Sequence, residues 1–350
     1  MSGRRKILVV RFSALGDVAM TVPVVYSVCR ANPDVDFVMV TRPLHASAMI
    51  ELPENLTVVP VRLEEYKGLG GLKRLFDKLY AEHKFDAFAD LHNVLRTKVL
   101  ALFCRLHRIP AAMLKKARAR RRALVRRHNK VMLPLTPQRA RFREVFHRLG
   151  LNVEDRFSSL YGEGKGAPAE FAHITGPKQL TERWIGIAPF AKHRGKTYPL
   201  EQMRKVAKIL AEKSSNRLFL FGGKEEQPLL SEWAKALGNR VVCVAGQDRG
   251  LPAEIALMSH LDVMLSMDSA NMHLASLTGV PVVTVWGATH PYCGFRAFRQ
   301  KDNTSVQLSM ACRPCSIFGN KPCHRGDYLC MSAITPQSIV EKVNNIIESK

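Results

Sequence analysis

Leu265-Ser-Met-Asp268-Ser269-Ala270-Asn271-Met-His273-Leu-Ala-Ser-Leu-Thr-Gly279-Val-Pro281-Val-Val-Thr-Val-Trp-Gly287 reads as strand, helix, strand. The apolar run ends at Asp268, a helix starts on Ser269 or Ala270, and Gly279 stops it before a second apolar run. Two such runs joined by a helix form the unit of a parallel sheet, whose strands are apolar throughout because helices cover both faces. The free N–H groups at the helix start attract phosphate. His273 lies about one turn in, on the side of Ala270. A lone helical His is ordinarily structural, but this one shares a helix start with Asp268 and Ser269.

The same alternation extends toward the N-terminus. Trp184–Ala188, Leu218–Phe221, Val241–Ala245 and Val263–Ser266 are read as strands, with helices at Leu200–Lys213, Gln227–Leu237 and near Ala253–Ser259. The first half repeats the pattern, with strands at Ile7–Val10, Phe37–Val40, Thr57–Val61 and Phe85–Ala89 and helices at Val18–Arg30 and Leu72–His83. Between the halves, Tyr161-Gly-Glu-Gly-Lys-Gly-Ala-Pro-Ala opens a linker that ends near Thr175-Gly-Pro-Lys. The expected class is α/β: two Rossmann-like domains with parallel sheets facing across a cleft. Their expected bounds are 1–165 and 183–335, with a linker over 166–182 and a C-terminal helix in 336–350 packing across both. Ligands belong at the carboxyl ends of the strands.

Composition narrows the class of partner. The 350-residue chain holds 53 Lys and Arg against 30 Asp and Glu, a net charge of +23. That excess predicts an anionic partner, whether nucleic acid, phosphorylated lipid or nucleotide. Hydrophobic residues at 46% and charged residues at 24% exclude disorder, collagen and a small disulfide scaffold. Arg11 and Asp17 interrupt the first apolar run, so it does not read as a signal peptide, and no run approaches the roughly 18 residues of a spanning helix. A cytosolic location is expected, with contact to a membrane from that side.

Three further strand ends carry candidate chemistry. The first strand runs into Arg11-Phe-Ser13-Ala14-Leu-Gly16-Asp17, where Gly16 permits a tight turn and Ser13 and Ala14 let a ligand approach the backbone. Asp17 then either caps the first helix or serves as a base facing the cleft. Pro189-Phe-Ala-Lys192-His-Arg194-Gly-Lys196-Thr197-Tyr-Pro199 places three cations after a strand, suited to a polyphosphate or simply to solvent. It is not a P-loop, because Phe190 stands where that motif needs Gly. Leu220-Phe-Gly222-Gly223-Lys-Glu225-Glu226 offers an acid to ribose hydroxyls, or to the dipole of the following helix.

These four segments, in their order along the chain, resemble glycosyltransferase family 9, the ADP-heptose–lipopolysaccharide heptosyltransferases. The resemblance runs nearly end to end and is strongest over Arg11–Pro23 and Val242–Gly287. It implies the two-domain GT-B fold, with an acceptor-binding N-terminal domain and a nucleotide-sugar-binding C-terminal one. It also implies an inverting, metal-independent transferase (EC 2.4.-.-) that moves heptose from ADP-heptose to the lipopolysaccharide inner core, to Kdo-lipid A or a heptosyl acceptor. By the resemblance Asp17 matches the catalytic base and Lys196, followed by Thr197, the phosphate-binding lysine. Glu225 matches the ribose acid, and Asp268, Ser269, Ala270 and His273 fall on the donor signature. The sequence departs from the family's pattern at Ala270, usually Gly, and at Phe190-Ala191. No cofactor is required. Asp34-Val-Asp36 looks like the metal motif of other glycosyltransferases, but sits at a loop-to-strand junction where chance explains it.

From Cys104 to Arg148 there are 15 Lys and Arg and one acid, Glu144, with Arg118, Arg120, Arg121 and Arg122 at the centre. The bland reading is a solvated helical face. The resemblance puts this region against the acceptor, where lipid A-core phosphates, Kdo carboxylates or an anionic membrane surface fit the charge. RNA fits the charge too, but interleaved aromatics are missing. Cys312, Cys315, Cys323 and Cys330 crowd the loop 312–330; they read as a structural clip, or as a structural zinc site with imperfect spacing. The competing readings are a family member using another nucleotide-sugar or acceptor, and a non-catalytic basic protein on a GT-B scaffold. Retention of Asp17, Lys196, Asp268 and His273 argues against the latter.

Overall fold

The computed structural model describes residues 4–349. The chain forms two compact units. The first comprises the chain through Ala117 together with Thr136–Leu160, and the second comprises Arg118–Leu135 together with the chain from Tyr161 onward.

The first unit is a five-stranded sheet in the order β3-β2-β1-β4-β5, with β1 at Arg5–Val10, β2 at Val35–Thr41, β3 at Leu56–Pro60, β4 at Ala87–Asp90 and β5 at Ala111–Met113. Every pairing is parallel, and Val10 at the end of β1 stands beside Val40 and Asp90. Leu8, Val10, Val38, Val40 and Phe88 pack with Leu75, Phe76 and Leu79 of the helix Gly68–His83 into one core. The chain order reverses between β1 and β4, which makes the carboxyl ends of those two strands the natural ligand crevice.

The second unit is a six-stranded sheet in the order β11-β10-β9-β6-β7-β8, again parallel throughout. Its strands are β6 Arg183–Ala188, β7 Asn216–Leu220, β8 Val241–Cys243, β9 Val263–Met267, β10 Val282–Val285 and β11 Ser305–Val306. Here the order reverses between β6 and β9. The stretch quoted at the outset is β9, the helix Ala270–Leu277 and β10, and Gly279 ends that helix at φ 81°. Such a left-handed residue suits glycine because it has no Cβ to clash.

Two features differ from the sequence reading. The expected helix Val18–Arg30 is two helices, Leu15–Ala19 and Val22–Ala31. Pro23 explains the break: it has no N–H for a continuous ladder, and its ring excludes the carbonyl four residues back, whereas the first turn of a new helix tolerates it. The C-terminal helix Pro336–Glu348 buries Ile339 and Val343 in the core of the second unit.

The second difference concerns the basic run. Residues 118–135 were expected in the N-terminal acceptor domain, within 1–165, yet they belong to the second unit, and the first unit ends at Leu160. The reason is a set of contacts distant in sequence. The Arg121 guanidinium lies over the rings of Phe318 and Phe295, at 5.4 and 5.7 Å. Lys130 Nζ donates to the carbonyls of Cys312 and Pro314, at 2.8 and 2.9 Å. Leu124 and Leu135 are buried, while Arg118, Arg120 and Arg122 stay exposed.

Candidate active site

In the first unit, the candidate residues collect where β1 and β4 end. Arg11, the first residue after β1, is buried and aims its guanidinium back across the loop. One nitrogen donates to the Leu91 carbonyl after β4, the other pairs with Asp17 Oδ2 at 2.8 Å, and the plane lies over the Phe142 ring. Asp17 stands in the short helix Leu15–Ala19, where Oδ2 also accepts from the Ala14 N–H at 3.4 Å. Its carboxylate therefore both caps that helix and remains partly open to solvent, with 29% of the side chain exposed. The capping role read from sequence is present, and the partial exposure leaves the carboxylate reachable.

His92 joins this cluster. Asp90 ends β4 and accepts from the N–H groups of His92 and Asn93 at 2.8 and 2.7 Å, which folds the loop back over the strand. His92 Nδ1 accepts from the Phe12 N–H at 3.4 Å, so the proton sits on Nε2, 3.3 Å from Ser13 Oγ. Burial, then the Arg11 charge, pulls the His92 pKa down to about 4, which keeps the ring neutral near pH 7. Lys116 Nζ donates to the Asn93 carbonyl at 2.7 Å. Sequence reading placed Ser13, Ala14 and Gly16 here but missed His92 and Arg11. The signal was available: a polar Asp90-Leu-His92-Asn93 directly after a buried strand.

In the second unit, the sites flank the reversal between β6 and β9. Lys196, in the turn after β6, places Nζ 3.0 Å from Oδ2 of Asp268, the residue after β9. Thr289 Oγ1 donates to the same oxygen at 2.8 Å. Asp268 is thus a buried acid with one cation and one hydroxyl. Ser269 is the N-cap of the helix Ala270–Leu277, yet its side chain does not cap that helix; its Oγ lies 3.2 Å from Ser266 Oγ. The first-turn N–H groups therefore have no side-chain acceptor from the cap residue. Ala270 lies outside the left-handed region, so an alanine is accommodated at this helix start without backbone strain.

The remaining candidates separate into those brought to this site and those that are not. Thr197 turns its hydroxyl back to the carbonyls of Ala191 and His193, shaping the lysine turn. His273 is buried inside the helix that starts at Ala270. Glu225 is exposed, whereas its neighbour Glu226 folds back so that Oε2 accepts from the Gly223 N–H at 2.6 Å. Glu226 shapes the Gly222-Gly223 turn and leaves Glu225 as the acid presented to solvent.

The cysteine loop supports the site from behind. Arg313 is buried and donates to the carbonyls of Trp286, Gly287, Thr289 and Leu308, while Cys315 N donates to Ala288 O at 3.0 Å. The loop is clipped through Arg313 and main-chain bonds, and it holds the turn that carries Thr289 to Asp268. All four thiols are free. Among the described residues, no group of three or more His, Cys, Asp or Glu, the cysteines Cys312, Cys315, Cys323 and Cys330 included, is arranged to hold a metal ion. Asp36 instead pairs with Arg4 at 3.4 Å.

Comparison with known proteins agrees with this layout. The chain is 22% identical over 345 residues to lipooligosaccharide heptosyltransferase 2 of Campylobacter jejuni, covering 96% of each chain. Among solved structures it is similar to a family 9 glycosyltransferase of Veillonella parvula, with a TM-score of 0.74, 16% identity and coverage of 100% of this chain and 99% of that one. It is also similar to the ADP-heptose lipopolysaccharide heptosyltransferase II of E. coli, with a TM-score of 0.71, 17% identity and coverage of 98% and 99%. The profile of glycosyltransferase family 9 (heptosyltransferase) matches residues 73–321. With a matching profile over most of its length, two parallel-sheet units and a charged site at each strand-order reversal, the chain belongs to glycosyltransferase family 9 and is a glycosyltransferase.

Proposed function

We propose that the chain transfers heptose from ADP-heptose to a hydroxyl of the lipopolysaccharide inner core, with inversion and without a metal ion. The observation that carries this reading is the constellation of Lys196, Asp268 and the open helix start at Ser269–Ala270. A cation and a row of N–H groups at one strand-order reversal suit a nucleoside diphosphate. The E. coli enzyme of the same fold, named for ADP-heptose, points to the donor.

The chemistry follows from the side chains present. Asp17 of the first unit takes the proton from the acceptor hydroxyl. The oxygen forms a bond to the anomeric carbon as that carbon's bond to the diphosphate oxygen breaks, and the electron pair leaves with ADP. One displacement inverts the anomeric centre. Lys196 and the N–H groups at Ser269–Ala270 stabilise the negative charge that builds on the leaving group. Arg11 orients Asp17, and neutral His92 orients the Ser13 hydroxyl beside it. Glu225 serves the ribose. The acceptor is an anionic lipid A core at the cytoplasmic face of a membrane, matched in charge by Arg118, Arg120 and Arg122.

Calorimetric titration of ADP, UDP and GDP with and without EDTA, followed by transfer from ADP-heptose, tests this. Selective ADP binding that EDTA leaves unchanged, with transfer lost in Asp17→Ala, is expected. Preference for UDP or GDP, or transfer that survives Asp17→Ala, would sink the assignment.

A further inference from the structure

The helix Leu95–Leu106 buries one stripe and exposes another of the same chemistry. Thr97, Leu100, Ala101 and Cys104, at three- and four-residue spacing, face the core of the first unit. The opposite side of such a helix is ordinarily polar. Here Leu95, Leu102 and Leu106 are 79%, 51% and 69% exposed. Separated by seven and four residues, they form one line along the helix. Exposed leucines scattered singly are ordinary; three on one line make a patch.

Cations frame that line. Arg96, Lys98 and Arg105 are exposed on the same helix, and Arg108 lies just beyond its end. Next to Leu102 the surface dips into an open groove of about 500 Å³ lined by Lys98, Arg105, Arg108, Ile109 and Met113, where β5 forms the edge of the sheet. No carboxylate occurs anywhere from Leu91 through Arg143.

We propose that this face docks the first unit onto an anionic lipid bilayer, with Leu95, Leu102 and Leu106 entering the acyl boundary and the groove cations holding lipid phosphates. The patch asks its occupant for apolar depth and negative charge together, and a bilayer interface supplies both within a few ångströms. A second copy of this chain supplies the opposite of what is needed, since each carries a net +23 and the same cationic frame. RNA satisfies the cations, but its bases reward aromatic platforms, and the exposed stripe is leucine. This inference extends the membrane-face reading of the acceptor by naming the surface that makes the contact, and its readout is independent of transfer.

Flotation of the full chain with vesicles tests it. Vesicles of phosphatidylcholine with about one-third phosphatidylglycerol should carry the chain, and pure phosphatidylcholine should not. Leu102→Ser combined with Leu106→Ser should lower the partition constant at least about tenfold. Lys98→Gln combined with Arg105→Gln should lower it roughly 30-fold at low salt. All four positions are exposed, so far-UV circular dichroism and the melting midpoint should match the wild type. Several results would overturn the proposal: no binding of the wild type to the anionic vesicles, unchanged binding by both double variants, or loss only with Arg120→Gln plus Arg122→Gln. A concentration-dependent dimer that the leucine variant abolishes, with vesicle binding unchanged, would assign the patch to a second copy instead. ADP titration of the same samples reports the donor reading separately, so either can fail alone.

Discussion

Arg11 Nη2 stands 2.8 Å from Asp17 Oδ2, so the candidate base of the first unit is oriented by a buried guanidinium from its own loop. Asp17→Asn keeps the shape and the Arg11 contact while removing the proton acceptor. Transfer should fall roughly 100- to 10,000-fold. ADP affinity should stay within about twofold, because the predicted donor residues all lie in the second unit. Single-turnover transfer together with calorimetry checks both halves, and a parallel fall in ADP binding would mean that the substitution disturbed more than the base.

Lys196 and Asp268 form the corresponding pair in the second unit, at 3.0 Å. Lys196→Met leaves Asp268 buried with Thr289 as its remaining partner among these three. The expected cost is about 1–3 kcal/mol of stability and at least a tenfold loss of ADP affinity. Adding Asp268→Asn should restore much of the stability and none of the affinity. Denaturant unfolding and ADP titration of the single and double variants separate a structural ion pair from a phosphate ligand.

Gly287 tests the support of the Thr289 turn. A Cβ there would stand 2.7 Å from the Gly195 carbonyl oxygen, which already accepts from the Ala288 N–H at 2.7 Å. That oxygen is main chain and cannot swing aside. Gly287→Ala should therefore push the lysine turn away, costing about 1–3 kcal/mol of stability and weakening ADP. A crystal structure showing the 193–197 turn unmoved, with normal ADP binding, would contradict this.

Glu254 gives a pH dependence. Burial raises its pKa from 4.5 to about 7. A folded pKa above the unfolded one means that the native state binds the extra proton. The associated stability is fully present below about pH 4.5 and is lost as pH rises through about 7, a fall of roughly 2–3 kcal/mol. Glu254→Gln cannot ionise, so the difference between wild type and variant should itself change by that amount between pH 4.5 and pH 8. Urea unfolding at the two pH values measures it; an equal difference at both would refute the assignment.

Much of the fold was legible because parallel strands are buried on both faces and therefore appear as uninterrupted apolar runs. Ile7–Val10 and Val263–Ser266 were found this way, and the loops after them led directly to Asp17 and Asp268. The short edge strands Ala111–Met113 and Ser305–Val306 were not, since two or three residues carry no pattern. His92 escaped because its meaning rests on Phe12 and Ser13, some 80 residues away. Glu225 came from the resemblance, whereas the part of Glu226 in closing the Gly223 turn is a geometric matter that adjacent identical residues cannot reveal.

The sequence by itself determined the α/β class, the two-unit organisation, the family and the strand ends at which polar residues gather. Periodicity and local chemistry encode these, because each depends on neighbours within one strand–helix step. Only the tertiary structure decided that Arg11 holds Asp17, that Arg313 carries the Thr289 turn, and that the basic run 118–135 belongs to the second unit. Those outcomes rest on pairings such as Lys130 with the Cys312 carbonyl, 182 residues apart. A run of arginines reads as solvated until a distant ring or carbonyl is folded against it. Contacts of that kind are selected by packing, and packing is a property of the whole chain.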